Sequence, residues 1–292
     1  MKALFFVKPQ SREAAAAAAE LEAELARHNV KTILFSWNNN EAEQTLNFSD
    51  CDVVVSLGGD GTVLYAARTA SPHNIPIIPV NIGTLGFIAS VNREDAAGVF
   101  SAWLAGESAG NYAAMESQRL MLEVRIERGG KIIFTGSCLN DAVVSADGIA
   151  KTIRLDASIV QHNNEKLELA SYRSDGLILA TPTGSTAYSA SAGGPILDPE
   201  TEDLIVTPVC PFTLLHRPLV IPTGSTLNVS IPHEQRTGII LTVDGQITRL
   251  LEPDDNILIR KAAFKARLVA SDRKAFYRAL HTKLAWPCPQ VL

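Results

Sequence analysis

Apolar and polar residues follow two different rhythms along this chain. In the first third, short apolar runs alternate with longer segments of helical character. "ALFFV" (Ala3–Val7), "KTILFS" (Lys31–Ser36), "DVVVSL" (Asp52–Leu57) and "IPIIPVN" (Ile75–Asn81) predict four strands. Runs that are apolar throughout mark strands buried on both faces, so a parallel sheet covered by helices is expected. Ser11 is placed to cap a helix running through the alanine-rich stretch towards His28, with Asn29 as its stop. The alanines at 14–19 are low in complexity, but alanine is the best helix former and packs closely.

From about residue 115 the rhythm changes. "LMLEVRIERGGKIIFTGSCLN" alternates apolar and polar residues on either side of Gly129-Gly130, which predicts a hairpin with one wet face. "KTIRLDASIV", "DGLILAT", "LVIPTGSTLNVSI", "GIILTVDGQ" and "NILIRKAAFKARLVA" follow at the spacing of an all-β domain. From Ser271, "SDRKAFYRALHTKLAW" returns to helical composition and is expected to pack back on the first domain. The expected fold is an α/β N-terminal domain with a parallel, Rossmann-like sheet (1–114), an all-β C-terminal domain (115–270) and a helical tail (271–292).

Composition narrows the class without changing the fold. The 292 residues are 46% hydrophobic and 20% charged, as in globular proteins, and long enough for a sizeable core. A net charge of -5 argues against nucleic acid or an anionic membrane surface as the main partner. Lys8 and Pro9 stop the N-terminal apolar run, too short for a signal peptide or a membrane span, so a cytoplasmic location is expected. Cys51, Cys138, Cys210 and Cys288 are scattered without a C-x-x-C pair, and buried reduced thiols are expected.

Candidate chemistry concentrates in a few stretches. "LGGDGT" places Gly58, Gly59 and Gly61 around Asp60 between a strand and a helix, at the strand end where α/β sheets bind ligands. The spacing is neither the dinucleotide G-x-G-x-x-G nor the P-loop, and no lysine follows. Asp60 could alternatively be a simple helix cap. "RSDGLILATPTGSTAYSASAGGPI" (Arg173–Ile196) carries seven hydroxyl side chains between Thr181 and Ser191 among small residues, which suits a polar ligand with sugar and base edges. Asn140-Asp141 could hold a ribose or form a turn, whereas "SDG" (174–176) and "DGQ" (244–246) alone read as turns. The histidines are unclustered, so neither a histidine metal site nor a Ser-His-Asp arrangement is expected.

Taken together and in this order, G-G-D-G, N-D and T-P-T-G-S-T-A-Y-S-x-S-A-G-G-P resemble the NAD kinases over most of the chain. The long run is the specific one; G-G-D-G-T is shared with diacylglycerol and sphingosine kinases. The resemblance implies a nucleotide-binding domain followed by an NAD-binding domain. It also implies transfer of the γ-phosphoryl of ATP, or in some members polyphosphate, to the 2′-hydroxyl of the adenosine ribose of NAD, with a divalent ion (Mg²⁺ or Mn²⁺). By position, Asp60 corresponds to the general base and Gly61 to its neighbour in the NAD pocket. Asn140 and Asp141 correspond to the pair that holds NAD, where many bacterial members have glutamate second. Arg173, Asp175, Thr186, Ala187, Tyr188, Ser189, Ala190 and Ser191 correspond to residues lining the dinucleotide site, and Lys151 and Gln246 to less widely shared contacts. Some of these reach a neighbouring subunit's NAD in the family, so a homodimer or homotetramer is implied. No fixed protein site for the metal is expected, since Mg²⁺ would accompany ATP.

A sugar hydroxyl is a poor nucleophile, and a carboxylate in reach can take its proton as the new bond forms. The glycine N–H groups would meanwhile face the phosphates. Two rivals stay open at this level. A lipid kinase would share the glycine turn but needs an apolar acceptor groove, and an NAD-sensing module would keep the pocket without the chemistry.

Overall fold

The computed structural model describes all residues except 9, 37–47, 49, 85, 109–114, 162–164, 214 and 285–292. Cys288 and the end of the predicted tail lie outside the described residues. The chain divides into two compact units, one made of Met1–Arg119 with Phe264–Leu292 and the other of Leu120–Ala263. No helix among the described residues is long and apolar enough to cross a membrane.

The first unit opens with β1 (Lys2–Val7), α1 (Arg12–Ala26), β2 (Lys31–Ser36), β3 (Val53–Gly58), α2 (Asp60–Ala70), β4 (Ile77–Asn81), the two-residue β5 (Val91–Asn92) and α3 (Ala96–Ser108). Ser11 caps α1 as predicted, accepting the Ala14 N–H, and Asn29 turns the chain at φ +57°. Alanines 14, 17 and 18 with Leu21 and Leu25 form the buried stripe of α1, at helical spacing. All strand pairs here are parallel, in the order β2-β1-β3-β4. Because β2 and β3 flank β1 on opposite sides, the loops leaving β1 and β3 diverge, which makes their carboxyl ends a topological switch point. One expectation fails at β2: Ile33 and Leu34 are 44% and 51% exposed. As the end strand it pairs with β1 only, so its apolar run is not enclosed.

The second unit is antiparallel. It contains parts of β6 (Glu116–Arg128), then β7 (Lys131–Cys138), β8 (Asp141–Ala146), β9 (Ile153–Val160), β10 (Lys166–Ser174), β11 (Gly176–Ala180), the short helix α4 (Tyr188–Ser191), β12 (Asp203–Val209), β13 (Leu219–Pro222), β14 (Thr226–Ser230), β15 (Ile239–Val243), β16 (Ile247–Leu251) and most of β17 (Asn256–Val269). The β6–β7 hairpin turns at Gly129 and Gly130, with φ of +56° and +75°, as a two-residue type I′ loop requires. One sheet runs β13-β12-β11-β8-β15-β16, and the other includes β10-β9-β14-β17 and the β6–β7 pair. Their inner faces share one core, with Ala142, Val144, Leu177, Leu179, Leu241 and Val243 on one side and Leu122, Val124, Leu155, Ala157, Leu227 and Ile257 on the other. Val143, Ile178, Ala180 and Ile205 point the opposite way and pack with Ala192, Leu197 and Val209. The hydroxyl-rich segment after β11 therefore lies against the outer face of the six-stranded sheet.

The chain then returns to the first unit. Leu268 of β17 pairs in parallel with Ile77 of β4. The final helix, α5 (Arg273–Lys283), is capped by Asp272, which accepts the Ala275 N–H. Its Lys283 sits over the Phe87 ring, 5.1 Å from the centroid.

Candidate functional site

In the first unit the glycine turn joins β3 to α2. Gly59 occupies the N-cap without a side-chain cap, and Asp60 is the first helical residue. The simple-cap alternative therefore does not describe Asp60. Its carboxylate instead accepts three backbone N–H groups from the loop after β4: Phe87 at 3.0 Å on Oδ2, Ile88 at 3.1 Å and Ala89 at 2.9 Å on Oδ1. A side chain at Gly86 would overlap the Asp60 carboxylate, so this loop closes around the acid because residue 86 has no Cβ. A Cβ at Gly58 would overlap Thr62 Oγ1, whereas one at Gly59 would meet nothing within 4 Å. Gly58 thus serves packing, and Gly59 leaves open space at the N-terminus of α2, where the helix dipole favours anions.

In the second unit three distant motifs meet at one sheet edge. β8 begins where β11 ends, with Asp141 opposite Ala180, and the neighbouring β15 ends opposite Ala142. Thr181 locks this edge: its N–H donates to the Asn140 carbonyl at 2.8 Å and its hydroxyl to the Leu139 carbonyl at 2.5 Å. Asp244, in the β15–β16 turn, accepts the N–H groups of Leu139 (3.0 Å), Asn140 (2.8 Å) and Asp141 (3.2 Å). Asn140 is 9% exposed, and its Oδ1 is buried with no protein partner; Thr183 Oγ1 is in the same condition. Asn140 Oδ1 can be met only by a donor, whereas the Thr183 hydroxyl can either donate or accept. Burial pushes the Asp141 carboxyl up to about 7, assisted by the nearby charge of Asp244.

The comparisons with known proteins match these two halves. The chain matches the ATP-NAD kinase N-terminal domain over residues 5–108 and the ATP-NAD kinase C-terminal domain over residues 139–271. It is 39% identical to the NAD kinase of Treponema denticola over 267 residues, 91% of this chain and 90% of that one. It is 37% identical to the NAD kinase of Aquifex aeolicus over 249 residues, 85% of this chain and 86% of that one. The chain belongs to the ATP-NAD kinase family. Among solved structures, the fold is shared with yeast NADH kinase complexed with NADH, at a TM-score of 0.80 and 22% identity over 100% of this chain and 89% of that one. An NAD kinase from Archaeoglobus fulgidus in complex with ATP matches at 0.72 and 25%, over 98% of this chain and 100% of that one. Family membership assigns this chain phosphoryl transfer to NAD, and with it the α/β plus β architecture read from the sequence.

Within the ATP-NAD kinase fold, the candidate residues divide into groups. Gly58, Gly59, Asp60 and Gly61 stand together in the first unit. Asn140, Asp141, the segment Thr186–Ser191 and Gln246 belong to the β8–β11–β15 edge or the segments leaving it, and the Gln246 N–H closes the turn onto the Val243 carbonyl at 3.0 Å. Within that segment, Ser189 is fully buried and bonded to Thr207 at 3.0 Å, while Tyr188 is 48% exposed. Asp175 lies at the opposite end of the sheet, where Gly176 pairs with Ser145 and the Asp175 carbonyl accepts the Ala146 N–H at 3.0 Å; Arg173 precedes it in β10 of the other sheet, and the Lys151 side chain lies beside Gly148, just beyond the end of β8. The five residues of β11 separate Asp175 from Thr181, six steps along the strand and about 20 Å at the usual rise. Arg173 is exposed and stacks over the Phe212 ring at 4.7 Å.

Two contributors escape the sequence reading. The Phe87–Ala89 amides announce nothing, because backbone donors have no residue type; only the glycines at 83 and 86 hint that the loop is special. Asp244 was legible only as a hairpin turn. No group of three or more His, Cys, Asp or Glu placed to hold a metal is present among the described residues.

Proposed function

We propose that this NAD kinase uses Asp60 as the base for the 2′-hydroxyl of NAD and the β8–β11–β15 edge to hold the dinucleotide. The observation that carries the reading is the acceptor inventory of Asp60. A carboxylate has roughly four lone-pair positions, and the loop amides take two on Oδ1 and one on Oδ2. One position on Oδ2 remains for a substrate hydroxyl. Fixed in this way, Asp60 meets the hydroxyl without reorganising, and it takes the proton as the oxygen attacks phosphorus. The open space at Gly59 and the N-terminus of α2 suit the phosphates.

In the second unit, the buried Asn140 Oδ1 would accept from a donor on the base or sugar, and ionised Asp141 from ribose hydroxyls. Thr186–Ser191 supply small and polar surface beside them. ATP is the donor consistent with the family description, and polyphosphate remains the other chemical option to assay. With no cage of acidic side chains among the described residues, a divalent ion would be carried on the ATP phosphates, where it neutralises their charge. The distance between the two groups in the second unit supports a homo-oligomer, in which Arg173, Asp175 and Lys151 serve an NAD held by a neighbouring subunit.

The direct test is Asp60→Asn, assayed for NADP formation from NAD, ATP and Mg²⁺. Turnover should fall about 10²–10⁴-fold, the range of a positioned base, with NAD still bound by calorimetry. Near-normal turnover would remove Asp60 from the chemical step.

A further inference from the structure

We infer that Asp244 is a positioning residue for NAD recognition, its carboxylate setting the direction in which Asn140 and Asp141 present their side chains. The inference rests on the assignment of Asn140 and Asp141 to NAD.

Successive N–H groups of an extended strand point to opposite sides. Those of Leu139, Asn140 and Asp141 nevertheless converge on one carboxylate, at 3.0, 2.8 and 3.2 Å. The backbone at the head of β8 is therefore bent around Asp244 rather than extended. The tie runs both ways, since the Asp244 N–H donates to the Asp141 carbonyl at 2.9 Å. If the carboxylate were lost, residues 139–141 could straighten, and because side chains alternate along a strand, straightening would redirect both Asn140 and Asp141.

The identity of residue 244 separates this role from that of a turn. Asp244 and Gly245 have φ of +50° and +66°, a type I′ loop that asparagine fills as well as aspartate. Asparagine, however, would present an NH₂ group where three N–H donors converge. An acid is needed for the three bonds, not for the turn. Asp244 is also buried, at 6% exposure, and among the described residues it is the charged group whose field reaches Asp141.

Asp244→Asn keeps the turn and breaks the donor pattern. Its KM for NAD should rise about tenfold or more, with the KM for ATP within about twofold of the parent. The acid limb of kcat/KM for NAD should move to lower pH, because Asp141 no longer faces a negative charge. Asn140→Ala and Asp141→Asn are measured alongside. If these raise the KM for NAD while Asp244→Asn leaves both the KM and the pH profile at parental values, the inference is overturned and the NAD assignment stands. If none of the three changes the KM for NAD, the assignment itself fails. An equal rise in both KM values with an unmoved acid limb marks general damage, and also overturns the inference. Hydrogen exchange on the unaltered chain needs no variant: slow exchange at 139–141 is expected, and fast exchange there overturns it.

Discussion

At the scale of single residues, two carboxylates each gather three backbone amides, and their third relative, Asp141, gathers none that the structure records. Asp60 and Asp244 are thus carboxylates satisfied by the fold, while the Asp141 carboxyl is buried beside the like charge of Asp244. Replacing Asp60 by asparagine should cost stability as well as turnover, because one of the Phe87–Ala89 amides would face an NH₂ group; about 1–3 kcal/mol is expected by thermal or denaturant unfolding. Asp141 predicts the opposite sign. Its carboxyl titrates near 7 in the folded chain and near 3.8 when unfolded, so the folded state holds more protons between those values and loses stability as pH rises through them. Asp141→Asn should therefore be more stable than the parent at pH 8, by at most about 4 kcal/mol, and lose this advantage below about pH 4. Unfolding of the ligand-free proteins across pH measures it. Asp60 was legible in the sequence because three glycines surround it; Asp244 was not, because an acid followed by glycine reads the same whether it serves a turn or a site.

At the scale of elements, the strand and helix that carry the glycine turn, and the hairpin at Gly129-Gly130, were legible from periodicity and turn chemistry. β8, β10, β12 and β16 were not predicted, for identifiable reasons. β10 and β16 are end strands with largely exposed residues, β12 contains Pro208, and β8 begins at the Asn140-Asp141 pair that reads as a turn. Missing β8 concealed the edge on which the second unit's candidates assemble. Two glycines now separate packing from ligand space. Gly184→Ala would drive a methyl group into the Asn140 carbonyl, and should lower stability by roughly 1–3 kcal/mol while raising the KM for NAD. Gly59→Ala meets no protein atom and has an unstrained φ of -107°, so its unfolding midpoint should change by less than about 1 kcal/mol. A large rise in the KM for ATP or NAD in that variant would then report ligand occupancy of the space above α2.

At the scale of the whole molecule, the first unit is assembled from both ends of the chain. One joint between these ends is Glu116, whose side chain is 4% exposed and which accepts from Trp103 Nε1 at 3.0 Å and pairs with Arg267 Nε at 2.7 Å, while Arg267 also donates to the Asn74 carbonyl. Arg267→Ala leaves Glu116 buried with reduced compensation and should destabilise the fold by roughly 3 kcal/mol, read by denaturant unfolding. The discontinuity also has a consequence during synthesis. The ribosome must make the 144 residues of the second unit, 120 through 263, before Leu268 exists to pair with Ile77 of β4, which takes roughly 7–30 s at ordinary elongation rates. Throughout that interval the outer edge of β4 carries only the two-residue pairing with β5 at Val80 and Asn81 among the described residues, so the parallel sheet that leads into Asp60 is completed last, although its first four strands are the first to leave the exit tunnel.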